Sequence, residues 1–462
     1  CRLRAFVAAE RGAPPYTLAT TKGGDMQRFG RYLPAAARFF VFCLLRLGYF
    51  RSSWRKAGAC FLPFLFLSSI SFAQTLPPLL IAHVMPTTGR FALHAEADRR
   101  GVEMAIEDFG GKILGRDLVL LTRNATTDPA KAAEIAESLI TQNHIAFMVG
   151  AIDSGVAAAM SAVCQKYGVI FINTNSSSPS EAVENAHRTK FVFDANGANF
   201  NKALLKYALD RHPRKRAILL TEDNVWGHSN AAASRGYIER YGGSVVEEVV
   251  VPVSLPDPAG LAARIAAMDI DVVAVNLSGN NQIRLFAQID PALFERQSWV
   301  VGEVDWEELY PAPGTPRPLF GTTWAWNLDT PGTAEFVARY RQRYGNTVLD
   351  YPGDVTHAAY LAMRALLQAI ERAATTHNHA VIRTLETMRW SARERMQHDD
   401  AYMDPASHHL QQSVYTATWR HDPANPAAGI KILGHLSPEE ARYEGEDATR
   451  LESFEETPSY TP

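Results

Sequence analysis

Residues 146–179 read AFMVGAIDSGVAAAMSAVCQKYGVIFINTNSSSP. Short apolar runs stand at 146–150 and 169–173, and between them residues 155–167 place Val, Met and Tyr at helical spacing. An apolar run, an amphipathic helix and a second apolar run are typical of a βαβ unit, in which a helix covers two parallel strands. Because the two runs contain almost no polar residues, we expect both faces of the sheet to be buried.

The same alternation extends over most of the chain in two series, separated by a polar passage at 175–188. The pattern predicts strands at 79–83, 118–123, 146–150, 169–173, 191–193, 217–221, 245–251, 272–276 and 299–301. It predicts helices at 95–109, 129–142, 155–167, 200–210, 231–241, 258–268, 282–289, 333–344, 355–373 and 380–389. The fold class is therefore α/β, with two doubly wound parallel-sheet lobes. The last three helices leave the alternation, and we expect them to cover one lobe.

Residues 1–73 differ in charge from the rest of the 462-residue chain. Eleven Lys and Arg stand against two acids there, so this leader carries +9 and the remainder −12 of a net charge of −3. Basic residues within 51–56 precede a mostly apolar segment at 57–70, which is too short to span a bilayer of about 30 Å. This order predicts a signal peptide cleaved after Ala73, and hence an exported protein. A lipoprotein is the alternative, but Cys60 precedes the apolar segment instead of following it.

The acidic remainder of the chain excludes several classes of protein. A charge of −12 offers no basic surface for the phosphates of a nucleic acid. Cys164 is the only cysteine after residue 73, so this part of the chain can form no internal disulfide and no cysteine-based zinc site. Because the sequence has no P-loop, nucleophile elbow, H-E-x-x-H or dinucleotide fingerprint, we predict neither an enzyme nor a cofactor. Residues 439–462 lack periodicity and are rich in acid, Ser, Thr and Pro, which predicts a loosely ordered tail.

Polar and aromatic residues follow several predicted strands, where ligands bind in open parallel sheets. Ser154 opens a helix, and its hydroxyl can either cap that helix or turn toward a ligand carboxylate. A hydroxyl-rich loop at 174–178 follows the next strand. Trp226 follows a strand of the second series and is either an apolar wall for a ligand or a filler of its own lobe. Glu303 and Asp305 follow a later strand, where carboxylates can hold an ammonium group or simply be solvated.

Further motifs occur in the order expected of one family. They are Pro86-Thr87-Thr88-Gly89, Gly101 to Glu107, Gly111 to Arg116, Asp128 to Ala132, Val149-Gly150, Ser154 to Ala157, Trp226-Gly227 and Asp399 to Gln411. Together they resemble the substrate-binding proteins of hydrophobic amino-acid ABC transporters, the leucine/isoleucine/valine-binding type. The resemblance implies the type I periplasmic binding fold, in which three crossovers join two lobes that enclose a ligand. The corresponding segments are 74–194 and 325–398 for lobe one, and 195–324 and 399–438 for lobe two.

The resemblance also implies a function. The protein would be a periplasmic monomer that captures a small carboxylate-bearing ligand, a branched-chain or other hydrophobic amino acid, and delivers it to a membrane permease. The implied site residues are Ser154 and Ser177 for the ligand carboxylate, Asn175 and Ser176 for the loop beside the ligand, Trp226 and Ser278 on lobe two, and Glu303 or Asp305 for the ligand ammonium. A ligand sensor, or a binding protein for amides, urea or aromatic acids, is the alternative on the same fold.

Overall fold

The computed structural model describes residues 76–302, 318–419 and 429–462. The predicted signal peptide with its cleavage after Ala73, and the candidate acids Glu303 and Asp305, lie outside the described residues. No helix within the described ranges has the length and apolarity needed to cross a bilayer.

The described residues form sixteen strands and thirteen α-helices. The strands are β1 Leu79–Met85, β2 Lys112–Ile113, β3 Arg116–Asn124, β4 Phe147–Gly150, β5 Ile170–Asn173, β6 Lys190–Val192, β7 Arg216–Glu222, β8 Ser244–Val251, β9 Val272–Asn276, β10 Ser298–Val301, β11 Leu319–Thr322, β12 Arg389–Trp390, β13 Ala401–Met403, β14 Leu410–Gln411, β15 Val414–Trp419 and β16 Ile430–Leu436. The helices are α1 Ala92–Asp108, α2 Pro129–Thr141, α3 Ser154–Tyr167, α4 Gly197–Leu209, α5 Val225–Arg240, α6 Pro258–Ala266, α7 Asn280–Phe286, α8 Leu293–Arg296, α9 Thr333–Tyr344, α10 Asp354–Ala373, α11 Asn378–Leu385, α12 Ala392–Arg395 and α13 Pro438–Ala441.

Two large sheets define the two lobes and confirm the predicted fold class. The lobe-one sheet has the strand order β2-β3-β1-β4-β5-β6, and the lobe-two sheet has the order β16-β15-β11-β10-β9-β7-β8. Neighbouring strands pair in parallel along β3-β1-β4-β5-β6 in lobe one and along β8-β7-β9-β10-β11 in lobe two. Strands β2, β15 and β16 pair antiparallel at the sheet edges. The chain passes to lobe two after β6, returns to lobe one after β11 and enters lobe two again at β15. The boundaries predicted at 194/195 and 324/325 lie within the first two passages, and the one predicted at 398/399 precedes β13 and β14; all three stay predictions.

The stretch at 146–179 folds as a βαβ unit because each boundary has a local cause. β4 and β5 are fully buried and pair in parallel. The Asp153 carboxylate accepts the N–H of Val156 at 3.1 Å and so caps the N-terminus of α3. Gly168 ends the helix in the left-handed conformation, with φ 74°. The helix N-terminus is thereby placed at the carboxyl end of β4.

The late helices α9, α10 and α11, which do not alternate with strands in the sequence, cover lobe one as expected. α10 crosses α1 so closely that a Cβ on Gly101 would lie 2.3 Å from the carbonyl oxygen of Thr356. The neighbouring Arg100 is buried and donates to the hydroxyl of Tyr340 at 2.9 Å and to the carbonyl of Leu349 at 2.8 Å. These contacts fasten α9 and α10 to the first helix of the chain.

Substitution of glycine by alanine should have opposite effects on stability at two helical positions, Gly101 and Gly236. Gly101→Ala should destabilise the fold by about 1–3 kcal/mol, because its Cβ has no room against the α10 backbone. Gly236→Ala should stabilise it by up to about 1 kcal/mol, because a Cβ on Gly236 meets no atom within 4 Å and alanine favours the helix α5. Urea unfolding followed by tryptophan fluorescence measures both changes. Unchanged or increased stability of the Gly101→Ala protein would contradict the assignment of Gly101 to a close helix crossing.

The expectation of a loosely ordered tail at 439–462 is corrected by the structure. After α13 the chain forms a 3₁₀ helix at Glu444–Ala448 and then runs along lobe one. Arg188 donates to the carbonyl of Glu452 at 2.8 Å, and the Tyr460 hydroxyl donates to the carbonyl of Ile145 at 2.6 Å. The tail lacks apolar periodicity because it is held mainly by such hydrogen bonds to distant residues.

The tail also contributes a buried carboxylate to the region where the chain passes between the lobes. Glu446 is 0% exposed and accepts hydrogen bonds from His409 Nδ1 at 2.8 Å and from Ser407 Oγ at 3.0 Å. His409 Nε2 donates to the carbonyl of Asp194 at 2.8 Å, so both ring nitrogens donate and the imidazole is a cation. Burial alone would lower the pKa of His409, but the contact with Glu446 raises it above its ordinary value. Burial would likewise raise the pKa of Glu446, but His409 lowers it below its ordinary value.

This ion pair predicts a pH-dependent contribution to stability. The raised pKa of His409 gives a contribution that is complete below the ordinary value of 6.5 and is lost as the pH rises through the raised value. The lowered pKa of Glu446 gives a second contribution to stability, which is complete above the ordinary pKa of 4.5 and is lost as the pH falls through the lowered pKa. His409→Gln should therefore lower the free energy of unfolding more at pH 5.5 than at pH 9. Denaturant titrations at the two pH values test this, and a penalty that does not shrink at pH 9 would contradict it.

Candidate ligand-binding site

A cleft of about 650 Å³ lies between the two lobes, at the carboxyl ends of the parallel strands. The loops that line it follow β1, β3, β4 and β5 in lobe one and β7, β8 and β9 in lobe two. Of the predicted site residues, those that line this cleft are Ser154, Asn175, Ser177, Trp226 and Ser278. Strand-end placement therefore located most of the candidates that the structure describes.

Ser154 is the first residue of α3 and is not its cap, because Asp153 supplies the capping oxygen. The Ser154 hydroxyl is nearly buried and accepts a hydrogen bond from Ser176 Oγ at 3.0 Å. Since it accepts this bond, Ser154 can donate its own proton into the cleft. The capping role belongs to Asp153, and a ligand contact of Ser154 stays a prediction.

Ser176 is buried and does not line the cleft, but its hydroxyl holds that of Ser154 through the hydrogen bond described above. Its backbone N–H donates to the side chain of Asn173 at 2.8 Å, and its Oγ lies 3.4 Å from a carboxylate oxygen of Glu181. The other oxygen of Glu181 accepts from the ammonium of Lys190 at 2.9 Å. Both Glu181 and Lys190 are 1% exposed, so a buried ion pair lies beneath the serine loop.

Asn175 lines the cleft, but its amide group is directed into lobe one. Its Nδ2 donates to Asp98, which also accepts from the hydroxyl of Thr174 and pairs with His83 Nε2 at 2.8 Å. Asp98 and His83 are both fully buried. This network fixes the loop after β5, and the sequence pattern gave no sign of it because Asp98 lies within the helix α1.

Trp226 faces lobe one across the cleft. It stands in the first turn of α5, half-buried, and its indole Nε1 donates to Ser177 Oγ at 3.0 Å. Gly227 lets this turn approach β7, since a Cβ there would lie 2.1 Å from the carbonyl oxygen of Glu222. The structure thus favours the interpretation of Trp226 as a wall of the cleft over that of a filler of its own lobe.

Sequence reasoning missed two charged residues of this region. Arg90, in the loop after β1, donates to Ser278 Oγ at 3.3 Å and lies 3.6 Å from the carboxylates of both Asp153 and Glu222. Glu222 ends β7, is fully buried and accepts hydrogen bonds from three side chains, Ser278, Asn224 and Asn281. The strand-end rule that selected Ser154 would also have selected Arg90, whereas the burial of Glu222 has no signal in the sequence.

The described residues contain no group of three or more His, Cys, Asp or Glu that could hold a metal ion. The described lining of the cleft combines hydroxyl and amide groups, one arginine, one aspartate and the apolar side chains of Phe91, Ile152, Val253 and Trp226. Such a lining can bind a small molecule that has a charged end and an apolar end.

Comparisons with known proteins agree with this geometry. A family model described as periplasmic binding protein matches residues 78–425. The Leu/Ile/Val-binding protein homolog 6 of Brucella suis biovar 1 (strain 1330) is 22% identical over 339 residues, which are 71% of this chain and 84% of that protein. A periplasmic binding protein from Burkholderia mallei has a TM-score of 0.72 at 17% identity and covers 81% of this chain and 98% of its own. An ABC-transporter solute-binding protein from Rhodopseudomonas palustris BisB5, in complex with 3,4-dihydroxybenzoic acid, has a TM-score of 0.69 at 16% identity over 78% of this chain and 98% of its own.

The family match covers both lobes, and the similar solved structures share the type I periplasmic binding fold. The family model is that of periplasmic binding proteins, and it spans residues 78–425. The resemblance found in the sequence is confirmed: the chain belongs to the periplasmic binding protein family.

Proposed function

We propose that the protein is the solute-binding component of an ABC importer, exported after cleavage at Ala73, which captures a small carboxylate-bearing ligand and presents it to a membrane permease. The observation that supports this most is that Ser154 and Ser177 of lobe one meet Trp226 of lobe two in one cleft. A branched-chain or other hydrophobic amino acid is the first candidate ligand, because the Brucella relative is named as a Leu/Ile/Val-binding protein. The protein acts as a monomer in this proposal.

The proposed mechanism uses each end of the ligand separately. The carboxylate accepts hydrogen bonds from Ser154, Ser177 and the free N–H groups at the start of α3, while Trp226 and Phe91 contact the apolar end. A ligand that touches both lobes binds the closed state more tightly than the open one and so shifts the population toward closure. A micromolar dissociation constant corresponds to about −8 kcal/mol, which a few charge-assisted hydrogen bonds and one aromatic contact can supply.

For an amino-acid ligand, the ammonium group needs an acid. Glu303 or Asp305 is the proposed partner, on the basis of the family resemblance alone. Both residues follow β10, whose carboxyl end lies at the same edge of the lobe-two sheet as those of β7 and β9.

An aromatic acid is the second candidate ligand. Phe91 and Trp226 give the cleft two aromatic side chains, one from each lobe. The Rhodopseudomonas palustris protein of the same fold binds 3,4-dihydroxybenzoic acid. Aromatic side chains stack well on a benzoate ring, so a ligand screen should include as many aromatic acids as amino acids.

A thermal-shift screen of the chain from Gln74 onward tests the proposal. The panel contains hydrophobic amino acids, benzoates, short aliphatic acids and neutral amides. At least one carboxylate should raise the melting temperature, since a ligand stabilises the folded state by mass action. The proposal fails if no carboxylate does so, or if the protein consumes the ligand catalytically instead of binding it in stoichiometric amount.

A further inference from the structure

Arg90 is the only base among the described residues that line the cleft. A guanidinium carries five N–H donors. Within the described part of the chain, Arg90 uses one of them in a hydrogen bond, the 3.3 Å contact to Ser278 Oγ. The carboxylates of Asp153 and Glu222, at 3.6 Å, attract it but lie beyond hydrogen-bond distance. Arg90 therefore has donors available to a ligand.

The two acids near Arg90 already have partners of their own. Glu222 is fully buried and accepts hydrogen bonds from Ser278, Asn224 and Asn281. One oxygen of Asp153 caps α3, and the other faces Arg90. Asp153 is the only acid among the described lining residues, and its second oxygen faces Arg90, so a ligand ammonium group would have to compete with Arg90 for it.

The orientation of Arg90 is set by packing. Its guanidinium carbon lies 4.5 Å from the centroid of the Phe91 ring, and its side chain is 20% exposed. This contact holds the guanidinium against the ring of the neighbouring residue. A planar, oriented fork of donors is the arrangement that binds a carboxylate through two hydrogen bonds.

We propose that Arg90 is a specificity-determining residue that binds the carboxylate of the ligand, and that the cleft takes apolar carboxylic acids without requiring an α-ammonium group. This inference rests on the proposed function and narrows its ligand class. It assigns the charged end of the ligand to Arg90 together with Ser154 and Ser177, and the apolar end to Phe91 and Trp226.

Calorimetric titration with matched ligands tests the inference. Leucine and 4-methylpentanoate differ only in the amino group, as do phenylalanine and 3-phenylpropanoate, whereas 4-methylpentanamide replaces the carboxylate by a neutral amide. For the unmodified protein we expect each acid to bind at least as tightly as its amino acid, and 4-methylpentanoate to bind at least tenfold more tightly than the amide.

Variants of Arg90 separate ligand recognition from a structural role. Arg90→Gln should lower the affinity for the acids at least tenfold and reduce the preference for acid over amide to what Ser154 and Ser177 provide, and Arg90→Lys should restore part of the lost preference because it keeps the charge. Arg123→Gln, at an exposed arginine of β3, is the control and should change neither. Circular dichroism shows whether each variant is folded.

Three results would overturn the inference, and one of them would also reject the proposed solute-binding function. An amino acid that binds more than tenfold tighter than its des-amino partner shows that the ammonium group is recognised. A folded Arg90→Gln protein with an unchanged preference for acid over amide removes Arg90 from the site. Both results leave the proposed solute-binding function intact, whereas failure of every carboxylate to bind the unmodified protein rejects that function together with the inference.

Discussion

The double variant Ser154→Ala/Ser177→Ala is expected to weaken binding of a carboxylate ligand by about 10²–10⁴-fold. Hydrogen bonds to charged groups contribute about 1.5–3 kcal/mol each, so loss of two such bonds costs about 3–6 kcal/mol. Ser154 is prepared to donate because Ser176 already donates to it, and Ser177 is held in place by the indole of Trp226. Calorimetry with the carboxylates that stabilise the unmodified protein measures the loss.

Ser229→Ala is the matched control for this variant. The Ser229 hydroxyl bonds to Ser178 Oγ at 2.7 Å, so its removal also breaks a hydrogen bond between the lobes, but Ser229 does not line the cleft. Affinity should fall little in the control, which separates ligand contact from contact between the lobes. Full affinity in the double variant would reject the serine site.

Glu181→Ala is expected to lower the free energy of unfolding by about 3–5 kcal/mol, because it leaves the ammonium of Lys190 buried without its partner. Replacement of both members by apolar residues, Glu181→Leu with Lys190→Met, should recover most of that stability, since no uncompensated charge remains. Urea unfolding measures the three proteins under the same conditions.

An exposed ion pair provides the comparison. Asp117 and Lys112 form a contact of 2.6 Å while both side chains are more than half exposed, so Asp117→Ala should change stability little. A small effect of Glu181→Ala, comparable with that of Asp117→Ala, would contradict the view that a buried ion pair supports the serine loop.

The periodic parts of the fold could be predicted because apolar spacing alone determines them. The helix predicted at 333–344 has the same limits as α9, and the one predicted at 355–373 begins one residue after α10 does. Both helices bury a continuous apolar face, which produces the pattern that sequence reasoning detects. The tail at 439–462 was mispredicted because its order depends on partners such as Arg188 and Ile145, more than 200 residues away in the sequence.

The site could be predicted only in part, for a related reason. Parallel strands all end at one edge of a sheet, so the strand-end rule found Ser154, Ser177 and Trp226 without knowledge of the lobe arrangement. The rule does not show which side chains point into the cleft. The meeting of Arg90 with Ser278, 188 residues apart, appears only when the two lobes are assembled.

The central claim is that a ligand binds between the lobes and favours their closure, and the distance between the lobes tests it most directly. Lys131 in lobe one and His228 in lobe two are exposed and stand near the cleft, so Lys131→Cys and His228→Cys provide positions for spin labels. Cys164, the only native cysteine after residue 73, is fully buried, and burial raises the pKa of its thiol, so it should not react with the label.

Pulsed electron paramagnetic resonance then compares the label distance without ligand and with saturating 4-methylpentanoate or leucine. We predict that a ligand shown to bind by calorimetry shifts the label distances toward shorter values. Saturating binding with an unchanged distance distribution would contradict it.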